Sequence, residues 1–297
     1  MKVLIAYDGS DYADTAIDDL RWAGLPGNAE AIVLSVVEWP LQAPRSWGMV
    51  ETGFAAELEE DIKAAERLAT QGRERLQKIF PTWKIHAAAS PAGHAATAIL
   101  DKANAWPADL IVAGTHGRSA LARAVLGSVS LKLVKEAHCS VRIARQSNHD
   151  GPIRLLLGND GSPEGNAVVD EVSRRFWPAG TEARVLGVHE IFVSAESATI
   201  GIASDVYGKI NEDERLRLGD TVNHSVERLH NAGVAASSSV KDGDPKGTLV
   251  SEARNWKASA IFIGARGLGR AERILLGSVS SAAVAHASCT VEVVRHK

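Results

Sequence analysis

Two cysteines and two methionines in 297 residues, with aromatics at only 5%, exclude several classes of protein at once. A disulfide framework is one of them. Cys139 and Cys289 read as small buried residues beside strands, and neither belongs to a Cys-x-x-Cys pair. The ten histidines include no His-Glu-x-x-His, so no metal pattern is present. No apolar run approaches the ~20 residues of a membrane-spanning helix. The opening run Val3–Tyr7 is too short for a signal peptide and has only Lys2 as a basic flank, so a cytoplasmic protein is expected. An excess of one charge is also missing. The 33 Lys and Arg stand against 36 Asp and Glu, a net charge of −3, which argues against nucleic-acid and anionic-membrane partners. Gly-x-x-x-x-Gly-Lys-Ser/Thr is absent, and so is Gly-x-Gly-x-x-Gly after the first strand. This chain is therefore neither a P-loop ATPase nor a typical dinucleotide dehydrogenase.

What is present is a glycine pattern that occurs twice. Gly114-Thr-His-Gly117 is followed by nine residues and Gly127-Ser128-Val129-Ser130. Gly264-Ala-Arg-Gly267 is followed by nine residues and Gly277-Ser278-Val279-Ser280. Both spacings give an offset of 150 (264 − 114 and 277 − 127), and 14 of the 36 residues from 110 to 145 are identical at 260 to 295 without a gap. The chain starts are related by an offset of 152: Val3–Tyr7 then Asp8-Gly9-Ser10, against Arg154–Asn159 then Asp160-Gly161-Ser162. The second copy has therefore lost two residues in its middle. A domain-sized unit has been duplicated, with domains expected at 1–148 and 153–297 and a polar, breaker-rich linker at 149–152.

Each copy alternates strands and helices. Strands are expected at 3–7, 31–37, 83–89, 109–114 and 141–145, and again at 154–158, 183–189, 234–240, 259–264 and 291–295. Helices follow Asp-Gly-Ser, where Ser10 or Asp11 and then Ser162-Pro163 supply caps. Further helices are expected over 54–80 and 212–231, over 95–106 and 245–256, and from Gly127 and Gly277. Residues 39–53 and 191–211 read as surface loops. This alternation implies α/β domains, each with a parallel sheet covered on both faces. Trp106 and Trp256 match and are expected to close the core around the third helix.

In such sheets ligands sit beyond the carboxyl ends of the strands, where the chain order reverses. Asp8 and Asp160 end the first strand of each copy, Val36 and Val188 the second, and Gly114 and Gly264 the fourth. An aspartate there can accept from an exocyclic amine, and a valine backbone can pair with a purine edge. Gly117 and Gly267 let backbone approach phosphates, since they carry no Cβ. Gly127 and Gly277 open helices, where free N–H groups and the dipole favour anions. Ser128, Val129 and Ser130, with Ser278, Val279 and Ser280, form those helix starts. Arg123 and Arg273 match within the nine-residue connections and can reach phosphate oxygens. The aspartates can also serve as local turn caps, and Ser130 and Ser280 as structural serines. His116 stands in the first glycine loop where Arg266 stands in the second. No Ser-His-Asp set can be assembled from equivalent residues.

The strand ending in Asp-Gly-Ser, with Gly-x-x-Gly, nine residues and Gly-Ser, resembles the universal stress protein family over almost the whole chain. The resemblance implies two tandem Rossmann-like domains (adenine nucleotide α-hydrolase-like), each a five-stranded parallel sheet of order 3-2-1-4-5. It also implies ATP binding, with magnesium arriving on the nucleotide. By that likeness Asp8, Asp160, Val36 and Val188 contact adenine. Gly114, Gly117, Gly127 and Ser128 would hold ribose and phosphates, as would Gly264, Gly267, Gly277 and Ser278. The sequence departs from the family at Gly93-His94-Ala95, where Gly243-Asp244-Pro245 keeps the usual Gly-x-Pro. It departs again before the last strands, where Cys139-Ser-Val141 and Cys289-Thr-Val291 replace Pro-Val. The expected role is stress response or signalling through ligand-linked conformational change. A slow ATP hydrolase, a self-phosphorylating protein, a scaffold or a cyclic AMP sensor are the alternatives. The resemblance also favours pairing of the last strands, 141–145 with 291–295, within one chain, and a homodimer is a further expectation.

Overall fold

The computed structural model describes residues 1–38, 51–117, 126–146, 151–191, 203–267 and 276–295, with the side chains of 51–55 and 203–207 excepted. The chain divides into two compact units, Met1–Gln146 and Ser147–His296. In the first unit the strands are β1 (Lys2–Ala6), β2 (Glu30–Glu38), β3 (Lys84–Ala92), β4 (Leu110–Gly114) and β5 (Ser140–Ala144). Its helices are α1 (Asp11–Asp19), α2 (Glu51–Ile79), α3 (Ala95–Ala105) and α4 (Ser128–Glu136). In the second unit the strands are β6 (Arg154–Gly158), β7 (Glu182–His189), β8 (Ala235–Asp242), β9 (Ala260–Gly264) and β10 (Thr290–Val294). Its helices are α5 (Pro163–Ser173), α6 (Ala203–Asn231), α7 (Pro245–Asn255) and α8 (Ser278–His286).

Within the first unit β1 pairs with β2 and β4, β2 with β3, and β4 with β5, all parallel, which is the order 3-2-1-4-5. Within the second unit β6 pairs with β7 and β9, β7 with β8, and β9 with β10, again all parallel. Both are doubly wound α/β units. Helices α1 and α2 touch each other on one face of the first sheet, and α3 and α4 touch each other on the opposite face. The second unit repeats this with α5 and α6, then α7 and α8. Strands β1, β4, β5, β6, β9 and β10 are short and buried on both sides because helices cover both faces, whereas the edge strands β3 and β8 are longer and partly exposed. Val3, Ile5, Val33, Leu110 and Val112 meet Ile17, Leu20 and Leu76 in one such layer.

The helix starts follow the expected chemistry. Ser10 Oγ accepts from Ala13 N at 3.2 Å, and Ser162 Oγ accepts from Gly165 N at 3.0 Å with Pro163 in the first turn. Helix α6 begins at Ala203, inside the stretch 191–211 read as a loop. Ala203, Val206, Tyr207 and Ile210 keep the i, i+3, i+4, i+7 spacing of a helix, set among Ser204, Asp205 and Gly208 that read as loop residues, and Ile210 is exposed. The rest of the two expected loops, 39–50 and 192–202, lies outside the described residues. Trp106 and Trp256 close α3 and α7 as half-buried C-caps. The Lys2 ammonium lies 5.2 Å from the Trp106 ring centre, and the Arg184 guanidinium 4.4 Å from that of Trp256.

Each final strand carries one fully buried charge, of opposite sign in the two units. Arg142 Nε donates to Asp19 Oδ2 at 2.6 Å, the two side chains being 1% and 4% exposed. Glu292, the residue equivalent to Arg142, accepts from Arg175, which also donates to Glu171 Oε1 at 2.9 Å.

Candidate functional site

The site of each unit lies where β1 or β6 ends between neighbours whose chains run on in opposite directions. Tyr7 N donates to Leu34 O at 3.0 Å, the last bond tying the end of β1 to β2. Residues two apart on a strand point their backbone groups the same way, so those of Val36 face the β1 side just past the point where β1 has ended. Asn159 N donates to Leu186 O at 3.1 Å and leaves Val188 in the same position. Val36 and Val188 are both half-buried. A strip of backbone therefore overhangs the crevice in each unit.

The aspartates are divided between two tasks. Asp8 Oδ1 accepts from Ser10 N at 3.1 Å and Ser10 Oγ at 2.7 Å, which makes the local turn cap. Asp8 Oδ2 faces the glycine loop: a Cβ built on Gly117 would stand 2.7 Å from it. Asp160 repeats the division. Its Oδ1 accepts from Ser162 N at 3.0 Å, and its Oδ2 would stand 2.5 Å from a Cβ on Gly267. Gly9 and Gly161 turn the chain at φ +77° and +85°, a conformation that disfavours side chains.

Gly114 and Gly264 serve packing as well as the site. A Cβ on Gly114 would meet Tyr12 O at 2.6 Å, and one on Gly264 would meet Glu164 Cβ at 2.7 Å, so the first turns of α1 and α5 lie directly on the strand ends. The glycine loop is closed by a backbone clip that the sequence does not announce. Gly127 N donates to Thr115 O, and Gly277 N to Ala265 O, both at 2.7 Å. Helices α4 and α8 then start at Ser128 and Ser278, behind N-caps Gly127 and Gly277 that supply no side-chain acceptor. The first turns of α1, α5 and α7 are capped by Ser10, Ser162 and Asp244. At α3, where His94 makes no side-chain cap, Glu38 Oε1 of β2 accepts from Ala95 N at 2.8 Å. Among the described N-caps, those of α4 and α8 are the glycines, and these two helices start beside the crevice.

The serines separate. Ser130 Oγ donates to Gly114 O at 2.7 Å, and Ser280 Oγ lies 3.1 Å from Ala265 O and 3.0 Å from Gly277 O, both hydroxyls buried. They brace the loop from below. Ser128 is exposed and Ser278 half-buried at the helix mouths, with half-buried Val129 and Val279 behind them. Arg123 and Arg273 lie outside the described residues. Residues from α1 and α5 that sequence reading overlooked also enter the rim. The Tyr12 ring lies against His116, with centroids 5.1 Å apart and planes at 49°. At the equivalent positions Arg266 Nη2 contacts Glu164 Oε1 at 2.9 Å. Aligning the copies at offset 152 pairs Tyr12 with Glu164, and that was the available signal.

Two doubly wound units, each presenting a glycine loop, an acidic strand end and a helix start behind a glycine N-cap at one edge, define a tandem α/β protein with a duplicated candidate site. Residues 1–145 and 154–295 each match the universal stress protein family, and the chain belongs to that family. It is 26% identical over 317 aligned positions to the universal stress protein Rv2005c of Mycobacterium tuberculosis, covering 99% of this chain and 96% of that one. A universal stress protein of Mycolicibacterium smegmatis is 31% identical over 195 positions, covering 63% of this chain and 62% of its own. Among solved structures, a universal stress protein from Archaeoglobus fulgidus superposes with a TM-score of 0.61 at 17% identity, covering 99% of this chain and 96% of that one. That likeness bears on the fold.

Proposed function

We propose that each domain, 1–148 and 153–297, binds an adenine nucleotide, ATP foremost, at the carboxyl edge of its sheet. Binding then acts in stress response or signalling through ligand-linked stabilisation and conformational choice in the cytoplasm. The observation that carries this reading is the contact of Asp8 with Gly117, repeated by Asp160 with Gly267. In each case a carboxylate oxygen occupies the space of a side chain, beside a helix whose N-cap is a bare glycine. In the bound state the second carboxylate oxygen would accept from the adenine amine. The Val36 or Val188 backbone would meet the purine edge. The glycine loop and the N–H groups of Ser128 to Ser130 or Ser278 to Ser280 would hold ribose and phosphates. Arg123 and Arg273 are assigned to the phosphates, and magnesium enters with the nucleotide.

A ligand that binds only the folded chain stabilises it by RT ln(1 + [L]/Kd), about 2.7 kcal/mol at a hundredfold excess over Kd. Thermal melting with ATP should therefore show an upward shift, and calorimetry two sites per chain. The double variant Gly117→Ala, Gly267→Ala should abolish both signals while the unliganded melting temperature stays close to that of the parent. An unchanged melting curve with ATP, and no nucleotide on the purified protein by mass analysis, would sink the reading.

The same reading has the last strands, 141–145 and 291–295, pair within one chain, with chains able to associate further as homodimers. Cutting after residue 150 should then make the first fragment dimerise. A monomeric, soluble fragment by light scattering would count against it.

A further inference from the structure

We propose that the two sites select adenylates of different charge: the second repeat favours a polyphosphate through Arg266, while the first, with His116 against Tyr12, discriminates little by phosphate number. The inference rests on the nucleotide reading above and adds to it a difference in specificity between its two halves.

Arg266 and His116 occupy the same place, between the two glycines of the loop that faces the aspartate. The guanidinium is charged at every physiological pH and presents five N–H donors in a planar fork that matches phosphate. In the structure Arg266 Nη2 has a charged contact to Glu164 Oε1 at 2.9 Å. Arg266 Nε is buried without an acceptor among the described residues. The Arg266 side chain is 39% exposed and that of Glu164 is 17% exposed, so the cation stands at the rim rather than within the core. One carboxylate oxygen thus holds a guanidinium that has further donors to offer. An entering phosphate has two things to gain there: a permanent cation, and a fork that accepts bidentate contact.

Glu164 is the counter-ion that such a phosphate must displace. It sits in the first turn of α5, where the helix dipole favours a negative charge, so its release from Arg266 leaves the carboxylate in a favourable field. Glu164 therefore tempers the affinity of Arg266 for phosphate and keeps the rim near neutral while no ligand is bound.

In the first repeat the same two positions are aromatic. Tyr12 is 44% exposed and its ring packs on His116. That pair offers a flat surface and no permanent cation. The aspartate, the glycines and the helix start are shared by both sites, so among the described residues the contrast in charge falls on positions 116 and 266, tuned by 12 and 164.

The test uses the full chain and two probes, adenosine and ATP, titrated by calorimetry. Gly267→Ala leaves the first site to be read, and Gly117→Ala leaves the second. The ATP-over-adenosine affinity ratio should be on the order of tenfold larger at the second site, the scale of one charge-assisted contact. In the Gly117→Ala background, R266H should remove that surplus and R266K should keep most of it. Glu164→Gln should strengthen ATP severalfold and leave adenosine unchanged. In the Gly267→Ala background, H116R should raise the ratio. Unliganded melting curves confirm that each variant folds. Equal ratios at the two sites, or a ratio indifferent to R266H in a folded protein, would overturn the proposal and leave adenylate binding standing. Failure of the unaltered chain to bind either probe would overturn both.

Discussion

The two repeats present the same edge and support it on different foundations. Under the first site Tyr7 follows β1 and its hydroxyl donates to Asp14 Oδ1 at 2.7 Å, while Arg75 of α2 reaches Asp14 and Asp18. Under the second, Asn159 takes that place and its Nδ2 donates to Ser225 Oγ of α6 at 3.0 Å. Ser35 Oγ ties β2 to Tyr7 O at 2.7 Å in the first unit. Its counterpart Gly187 instead leaves room for Leu218, which a Cβ there would meet at 2.8 Å. The buried charge on the last strand is arginine in one and glutamate in the other. Packing has thus found two solutions, with polarity reversed at its most buried position. The Asp-Gly-Ser turn and the glycine loop have stayed the same. What has been kept is therefore not what packing alone requires, and this contrast favours a ligand as the reason.

The largest test of the contrast concerns the buried charges. Removing one member of a buried ion pair costs about 3–5 kcal/mol because the other is left uncompensated. Arg142→Met should lose that much in urea unfolding, since it deprives Asp19 of its 2.6 Å donor. Glu292→Leu should lose less, because Arg175 retains Glu171. Equal losses would mean that the second unit gains nothing from its extra carboxylate.

A smaller difference should appear with pH. Burial, helped by the hydrogen bond to Asp14, pushes the Tyr7 phenol far above its ordinary value of 10.0. The neutral form is the one the fold favours, so this stabilisation is complete below about pH 10 and is lost as pH climbs beyond it. The second unit should respond in the opposite direction. Burial raises Glu252 and Glu171, but Lys241 and Arg184 around the first, and Arg175 and Arg174 around the second, outweigh it and hold both carboxyls below their usual range. Their contribution is present above that range and is lost as pH falls through the lowered values. Incubation at graded pH, followed by a brief hydrogen-exchange pulse at one common pH, should show the first unit loosening in alkali and the second in acid. Tyr7→Phe should flatten the alkaline limb alone. Loosening of both units at the same end of the scale would break the comparison.

The smallest effect lies at the third helices. Asp244 Oδ2 caps α7 from within its own turn by accepting from Gly247 N at 3.0 Å, whereas α3 relies on Glu38 reaching across from β2. Asp244→Ala should cost about 1 kcal/mol, the usual value of such a cap. Glu38→Ala should cost only a few tenths by comparison, because an exposed long side chain gives back much of its bond energy in lost freedom. Chemical denaturation of the paired variants would rank them.

Much of this architecture could be read in the residues. The duplicated offset gave two units, and the apolar runs Val3–Tyr7 and Leu110–Ala113 gave short strands buried on both faces. Asp-Gly-Ser gave the capped turns of α1 and α5. The start of α6 was passed over although Ala203, Val206, Tyr207 and Ile210 have helical spacing, because Ser204, Asp205 and Gly208 between them favour a loop. Within the site, the aspartates and glycines could be located because backbone geometry restricts those positions to few residue types. Tyr12, Glu164 and the clip from Thr115 O to Gly127 N were hidden. The first two meet the loop only through tertiary contact, and the third is made by backbone atoms that any residue at 115 supplies.

That clip has a practical consequence. Because one main-chain bond pins the two ends of the stretch from 115 to 127, and another does the same from 265 to 277, the anchor points are insulated from the length of chain between them. Lengthening a closed loop costs little, about 0.6 kcal/mol for each doubling. The two connections are therefore natural graft points. A peptide tag or environment-sensitive dye inserted in one of them would report on its own crevice, and the twin would serve as an internal reference in the same molecule.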